Sequence, residues 1–176
     1  MPDASTPLVE LVATRAPTVL SGTFYRHTSP AFEPLSGEGA LRAGGRWNVQ
    51  GDFGAVYLAD SPQGAVAEFL RMASLAGLIP DAFLPRLLHS IEVNYVRVLD
   101  LTDAAVLSAL HVRVDDVLAD DRALSQAIAA AARESGLDGV IAPAATGVGV
   151  TLAIFDTPDS TARLRVLLTA DMDEFL

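Results

Sequence analysis

The stretch Ala55-Val56-Tyr57-Leu58-Ala59-Asp60-Ser61-Pro62-Gln63-Gly64-Ala65-Val66-Ala67-Glu68 changes its periodicity in the middle, and that change sets the fold class. Ala55 to Ala59 is a short uncharged apolar run, which reads as a buried strand. Ser61-Pro62 is a helix start: an N-cap hydroxyl, then a residue whose fixed φ suits the first helical position. The helix continues to about Ala76, where Gly77 stops it. Upstream, Val19 to His27 is rich in Thr, Phe, Tyr and Val and reads as a strand closed by Ser29-Pro30. Apolar positions at Leu8, Leu11 and Val12 make a short helix over Leu8 to Arg15, ended by Pro17. Downstream, His89, Ile91, Val93 and Tyr95 alternate with Ser90, Glu92 and Asn94, so Leu87 to Leu101 holds one or two strands. An Ala-rich helix spans Asp121 to Ser135, and Val140 to Ala142, Val150 to Phe155 and Arg163 to Leu168 complete the strands. Strands and helices alternate irregularly. The expectation is therefore one α+β domain over residues 1–176, with a mixed or antiparallel sheet and flanking helices. Residues 1–16 form its helical extension and 17–170 its core.

Composition narrows the function. Twelve basic residues face 22 acidic ones, giving a formal charge of −10, and all twelve are arginines. A pI near 4.5 opposes the counterion release that drives non-specific nucleic-acid binding, and it disfavours anionic membranes. With 51% hydrophobic residues and a mean hydropathy of +0.35, the chain has ample core and is not disordered. It has no cysteine, which removes disulfides, thiolate metal sites and thiol nucleophiles, and three scattered histidines make a poor metal set. No metal site is expected. The N-terminus lacks a basic stretch followed by an apolar run, and Gly139 to Phe155, the longest uncharged stretch, is too short and too broken to span a bilayer. A cytoplasmic protein is expected.

Between Pro34 and Gly54 lie six glycines, a tryptophan and no period of either 2 or 3.6. Irregular segments of that length inside a compact domain usually carry function. Gly44-Gly45-Arg46-Trp47-Asn48 fits neither a dinucleotide-binding turn nor a P-loop, and there is no lysine for the latter. It does offer backbone that can approach a ligand closely and an arginine fork suited to phosphate or carboxylate. The alternative is structural, with Arg46 paired to an acid and Trp47 filling the core. Glu68 falls nearly opposite the stripe of Val66, Phe69, Leu70 and Ala73, which makes it a surface carboxylate with Arg71 as its i,i+3 partner. Ala65, Met72 and Leu75, however, make that helix apolar almost all round, and a carboxylate on a helix buried on both sides needs a reason to be there. Arg26 and His27 close the first strand and read equally as ion-paired or structural residues. No serine lies in a nucleophile elbow, and no Ser/His/Asp spacing suggests a triad.

Taken together, Tyr25-Arg26, then Leu35 to Asn48 (LSGEGALRAGGRWN), then Val56 to Glu68 (VYLADSPQGAVAE) resemble the RES domain family. The likeness continues through Asp100-Leu101-Thr102 and Gly139 to Gly149, covering about residues 22 to 168. It implies an ADP-ribosyltransferase-like fold and a toxin of a type II toxin–antitoxin pair, whose partner is an Xre-type antitoxin. The implied reaction is phosphorolysis of NAD to nicotinamide and ADP-ribose 1″-phosphate. NAD and inorganic phosphate are substrates and no cofactor is required. Protein ADP-ribosylation, NAD hydrolysis, or a degenerate domain that only binds an antitoxin or nucleotide are the alternatives. Residue by residue, the likeness carries catalytic roles to Arg26, Arg46 and Glu68, and substrate-binding roles to Tyr57, His27 and Trp47. His27 stands where a phenol is common. The family's serine has no direct counterpart: Pro143 is followed by Ala144 and Ala145, and Ala123 opens the last helix. Ser125, two residues on, is the substitute substrate-binding hydroxyl, although two helical positions correspond to about 200° of rotation.

Overall fold

The computed structural model describes residues 7–176. Its organising element is β3 (Leu87–Asp100), a 14-residue strand that pairs with three others in one six-stranded sheet. Along one edge it pairs antiparallel with β1 (Thr18–Thr28), from Thr18 opposite Val98 to Thr28 opposite Leu87. Along the other edge it has two successive partners. Leu87 to Val93 pair antiparallel with β6 (Leu164–Asp171), and Val98 to Asp100 pair parallel with β4 (Gly139–Pro143). Antiparallel pairings then carry the sheet from β4 through β5 (Val150–Phe155) to β2 (Ala55–Ala59). The order is β1-β2-β5-β4-β3-β6, and β2 returns to β1 at a single pair, Ala59 opposite Tyr25. This is the α+β mixed sheet expected from the irregular alternation of elements.

The nearly closed circuit wraps a core of Phe24, Leu58, Ile91, Val93, Leu152 and Ile154. On its outer face, Val140, Ala142, Ala153 and Phe155 pack beneath α1 (Leu8–Ala13) and α6 (Ala123–Glu134), together with Trp47 and Ile128. Helix α3 (Pro62–Leu75) presses Ala65 and Phe69 onto Leu88 and Met172, with Ala73 buried on the same row. Ser61 caps α3 as its sequence demands, its hydroxyl accepting from the Gly64 N–H at 3.0 Å. Met172 lies in the closing 3₁₀ turn Met172–Phe175 and is fully buried, so packing of the core extends beyond residue 170. The first six residues of the expected helical extension lie outside the described residues.

Several local expectations differ from the structure. The glycine-rich stretch is not wholly irregular, since it contains α2 (Glu38–Ala43). Two further short helices, α4 (Ala104–Ala109) and α5 (Val114–Leu118), occupy a stretch to which the sequence reading assigns no element. Neither is long enough for periodicity to register. Leu87 to Asp100 is one strand, but its alternation fails at Tyr95, which is 69% exposed with φ of 53°. The cause is a bulge: the β1–β3 register shifts between Leu20 and Gly22, and the Tyr95 N–H donates instead to Ser21 Oγ at 2.9 Å. Leu70, placed by its spacing in the core stripe of α3, is 42% exposed. The buried ridge runs through Ala65, Phe69 and Ala73, a plain i,i+4 row.

Candidate active site

Because β1 and β2 share only the Tyr25–Ala59 pair, the sheet is open on either side of it, and α3 and the Gly44–Asn48 turn wall the opening. The resulting cavity has a volume of about 540 Å³, within the range of small-molecule sites. Arg26 and His27 reach it from β1, Tyr57 from β2, Glu68 from α3 and Arg46 from the turn. Residues 42 positions apart in the chain are thus brought together by one seam in the sheet.

The turn that carries Arg46 is held at its base by Tyr57. The phenol donates to Asn48 Oδ1 and accepts from the Trp47 N–H, both at 2.8 Å. Asn48 in turn donates to the carbonyls of Ala40 and Phe53, at 2.8 and 3.0 Å. Gly45 has no side chain for a physical reason: a Cβ there would collide with the Tyr57 phenol. Burial pushes the phenol well above its ordinary pKa, so it is a permanent neutral brace. Its hydroxyl is fully used within the protein, leaving only the ring to face the cavity. The Trp47 indole is buried in the core with Phe53, Ala153 and Phe155, and the residue also contributes to the cavity lining.

Arg46 is anchored from behind. Its Nη1 donates to the carbonyls of Val117 at 3.0 Å and Ala119 at 2.7 Å, which end α5. Ser125, expected to bind substrate, is fully buried and is not among the residues that line the cavity. Its hydroxyl donates to the same Val117 carbonyl, at 2.7 Å. Helical rotation explains the outcome: Arg122, three residues earlier and at the helix N-cap, takes the cavity-facing direction instead. Gln126 follows with Nε2 on the carbonyls of Gly45 and Asn48, at 2.9 and 3.2 Å. Ser125 and Gln126 in the first turns of α6 therefore support the arginine turn without reaching the cavity.

Five of the twelve arginines line this cavity, at positions 26, 46, 71, 86 and 122, against one carboxylate, Glu68. Arg26 is half-buried and donates to the carbonyls of Pro34 and Ser36, each at 3.0 Å, fixing the entry to the loop. Burial lowers its pKa to about 10 against the pull of Asp156, which leaves it cationic at neutral pH. Arg46 is also lowered, by burial and by Arg122 and Arg71. Glu68 is not the surface carboxylate its periodicity predicts. Burial raises its pKa, while Arg71 and Arg46 oppose that rise. Arg71 does not pair with it, and instead reaches Asp120 at 3.8 Å. His27 is driven to about 3 by burial and by the neighbouring Arg86 and Arg26, and so is neutral across the physiological range. Among the described residues no group of three or more His, Asp and Glu is arranged to hold a metal ion.

The chain matches a known family. A model of the RES domain covers residues 23–173. The chain belongs to the RES domain family. It is 36% identical over 167 residues to proteins of Mycobacterium tuberculosis and Mycobacterium bovis named NAD(+) phosphorylase MbcT, covering 94% of this chain and 90% of theirs. A second M. tuberculosis protein, named a probable NAD(+) phosphorylase, is 37% identical over 150 residues, covering 84% of this chain and 71% of that one. The crystal structure of the M. tuberculosis MbcT–MbcA toxin–antitoxin complex superposes with a TM-score of 0.85 at 37% identity, covering 93% of this chain and 91% of that chain. The RES fold thus brings Arg26, His27, Arg46, Trp47, Tyr57 and Glu68 to one cavity and leaves Ser125 behind it. Arg71, Arg86 and Arg122 have no signature in the sequence as cavity residues, because a lone arginine carries no spacing signal. Gln126 has none either, since only contact with Gly45 and Asn48 reveals its part.

Two outcomes follow. Tyr57→Phe leaves the Trp47 N–H and the Asn48 side-chain oxygen without their partner, so it lowers unfolding stability by about 1–3 kcal/mol in urea titrations. Acidification tests His27. Below pH 6.5 the unfolded chain takes up a proton on this ring, whereas the folded chain resists until about pH 3. Stability therefore falls as pH drops through that interval, and it falls less steeply in His27→Gln, which keeps an acceptor for Arg86.

Proposed function

We propose that this RES protein consumes NAD by phosphorolysis, releasing nicotinamide and ADP-ribose 1″-phosphate, and that it acts as the toxin of a toxin–antitoxin pair. One observation carries the proposal: a single partly desolvated carboxylate, Glu68, faces a cavity otherwise lined by arginines. NAD presents the complementary pattern, a diphosphate beside a ribose that becomes cationic when its pyridinium leaves. The C1″–N bond breaks with its electron pair passing to the nicotinamide nitrogen, while a phosphate oxygen forms the new C1″–O bond. The pyridinium leaves as a neutral base, so the site needs no strong general acid.

Glu68 holds the ribose hydroxyls and stabilises the oxocarbenium-like charge as it develops, the kind of interaction that lowers a barrier because it is strongest in the transition state. Arg26 and Arg46 bind phosphoryl oxygens through charge-assisted hydrogen bonds, with the unused N–H groups of their forks. The Tyr57 and His27 rings form the apolar wall for the nicotinamide, and Tyr57 keeps the Arg46 turn in register. Ser125 acts from behind, through Val117 and Arg46.

The partner we propose is an Xre-type antitoxin protein, supported by the toxin–antitoxin complex to which this fold is similar. A substrate of this kind supports a cytoplasmic location. Among the described residues no helix is long and apolar enough to cross a membrane. We assign no nucleic-acid contact to this chain, in keeping with its charge of −10.

The test is product analysis by mass spectrometry after incubation with NAD, with and without inorganic phosphate. ADP-ribose 1″-phosphate that forms only when phosphate is present supports the proposal. Phosphate-independent ADP-ribose identifies a glycohydrolase instead, and label transferred from NAD onto protein identifies an ADP-ribosyltransferase. Glu68→Gln lowers turnover by roughly 10²-fold or more. Its melting temperature is unchanged or higher, because a carboxylate whose pKa is raised by burial destabilises the fold when ionised at neutral pH.

A further inference from the structure

Arg86 stands immediately before β3, its backbone carbonyl accepting from the Met172 N–H at 2.9 Å. Its guanidinium carbon lies 5.7 Å from the centroid of the Phe69 ring, which holds the side chain across the wall of the cavity. Nη2 donates to His27 Nδ1 at 2.8 Å and lies 4.0 Å from the Met72 sulfur. A guanidinium can only donate, so Nδ1 must accept, and the neutral imidazole carries its proton on Nε2.

The other cavity arginines are accounted for. Arg26 and Arg46 each spend two hydrogen bonds on backbone carbonyls, with Asp156 acting on the first and Asp120 and Glu68 on the second. Arg71 pairs with Asp120, and Arg122 is exposed to water. Arg86 is different. It is half-buried, its Nε is buried without a partner, and among the described residues no carboxylate ion-pairs with it and Nη1 finds no protein acceptor. Burial lowers its pKa and no neighbouring acid offsets that. A half-buried cation without a counter-charge is costly, and an anion in the cavity relieves that cost.

We propose that Arg86, oriented by His27 and Phe69, is a phosphoryl-binding residue of the cleft, taking an oxyanion either of the dinucleotide diphosphate or of inorganic phosphate. This rests on the NAD-cleaving reading for its choice between those two sources, though not for the anion site itself. The planar fork suits phosphoryl oxygens, and five guanidinium groups around one carboxylate favour a multiply charged ligand over a single carboxylate. His27 gives Arg86 its bearing without competing for the anion, since it stays uncharged. A neutral histidine in this position therefore orients the arginine as well as walling the cavity.

Calorimetric titration of the full chain with inorganic pyrophosphate, inorganic phosphate and nicotinamide, alongside steady-state kinetics, tests this. Arg86→Met keeps an apolar stem over Phe69 and removes the charge, and Arg86→Lys keeps the charge without the fork. Arg86→Met is expected to weaken pyrophosphate or phosphate binding roughly tenfold or more, with nicotinamide binding unchanged and an intact melting transition. Arg86→Lys should recover part of the loss. A raised KM for NAD with kcat within about threefold assigns the diphosphate, and a raised KM for phosphate assigns the inorganic ion. Wild-type affinity of Arg86→Met for both anions, or an equal loss for nicotinamide, overturns the proposal. If the wild type binds pyrophosphate through Arg86 and yet leaves NAD intact, the anion site stands and the NAD-cleaving reading falls.

Discussion

Strand β1 meets β2 at one residue pair, Tyr25 with Ala59, and the ladder goes no further. That restriction traces to β3, which is long enough to hold β1 along its full length and to carry β6 and β4 one after the other on its opposite edge. The sheet therefore closes on itself only at that pair, and the gap beside it is lined by Arg26, His27 and Tyr57. Had the β1–β2 ladder continued, backbone hydrogen bonds would fill the space that a ligand needs. The open seam is possible because α3 covers it, laying Phe69 against the His27 ring at 5.5 Å between centroids.

Charge is distributed unevenly about that seam. The molecule as a whole is strongly acidic, yet its cavity gathers nearly half of its arginines around Glu68. Local field, not net charge, decides what a concave site attracts, and five arginines about one carboxylate make this cavity locally cationic within an acidic molecule. The arginines do not collapse onto Glu68 because carbonyls of the loops and of α5 already hold Arg26 and Arg46. Backbone acceptors thus set the forks in place without neutralising them, which preserves their charge for a ligand.

How much the sequence discloses follows from the range of the interactions involved. Local rules place β2 at Ala55–Ala59 and the start of α3 at Ser61, since strand composition and the N-cap act over a few residues. The family resemblance alone suffices to group Arg26, Arg46 and Glu68 in one site. Periodicity misjudges Glu68 and Leu70, because it reports which face of α3 is apolar and not what that face meets. The cavity lies along one flank of the helix, and the buried ridge narrows to Ala65, Phe69 and Ala73. Spacing likewise does not disclose that the Ser125 hydroxyl turns inward to the Val117 carbonyl, since that partner lies in another element. Arg86 is hidden most thoroughly. It lies 59 residues from His27, and only the β1–β3 pairing brings them together.

The central claim is that NAD occupies the seam with its nicotinamide ribose at Glu68 and its phosphoryl groups on the arginines. A crystal structure of Glu68→Gln with NAD bound tests it most directly. The expected result is density for intact NAD between β1 and α3, with a ribose hydroxyl within hydrogen-bonding distance of residue 68 and the diphosphate on at least two of the cavity arginines. Dinucleotide bound elsewhere on the surface, or an empty cleft at saturating NAD, would contradict it.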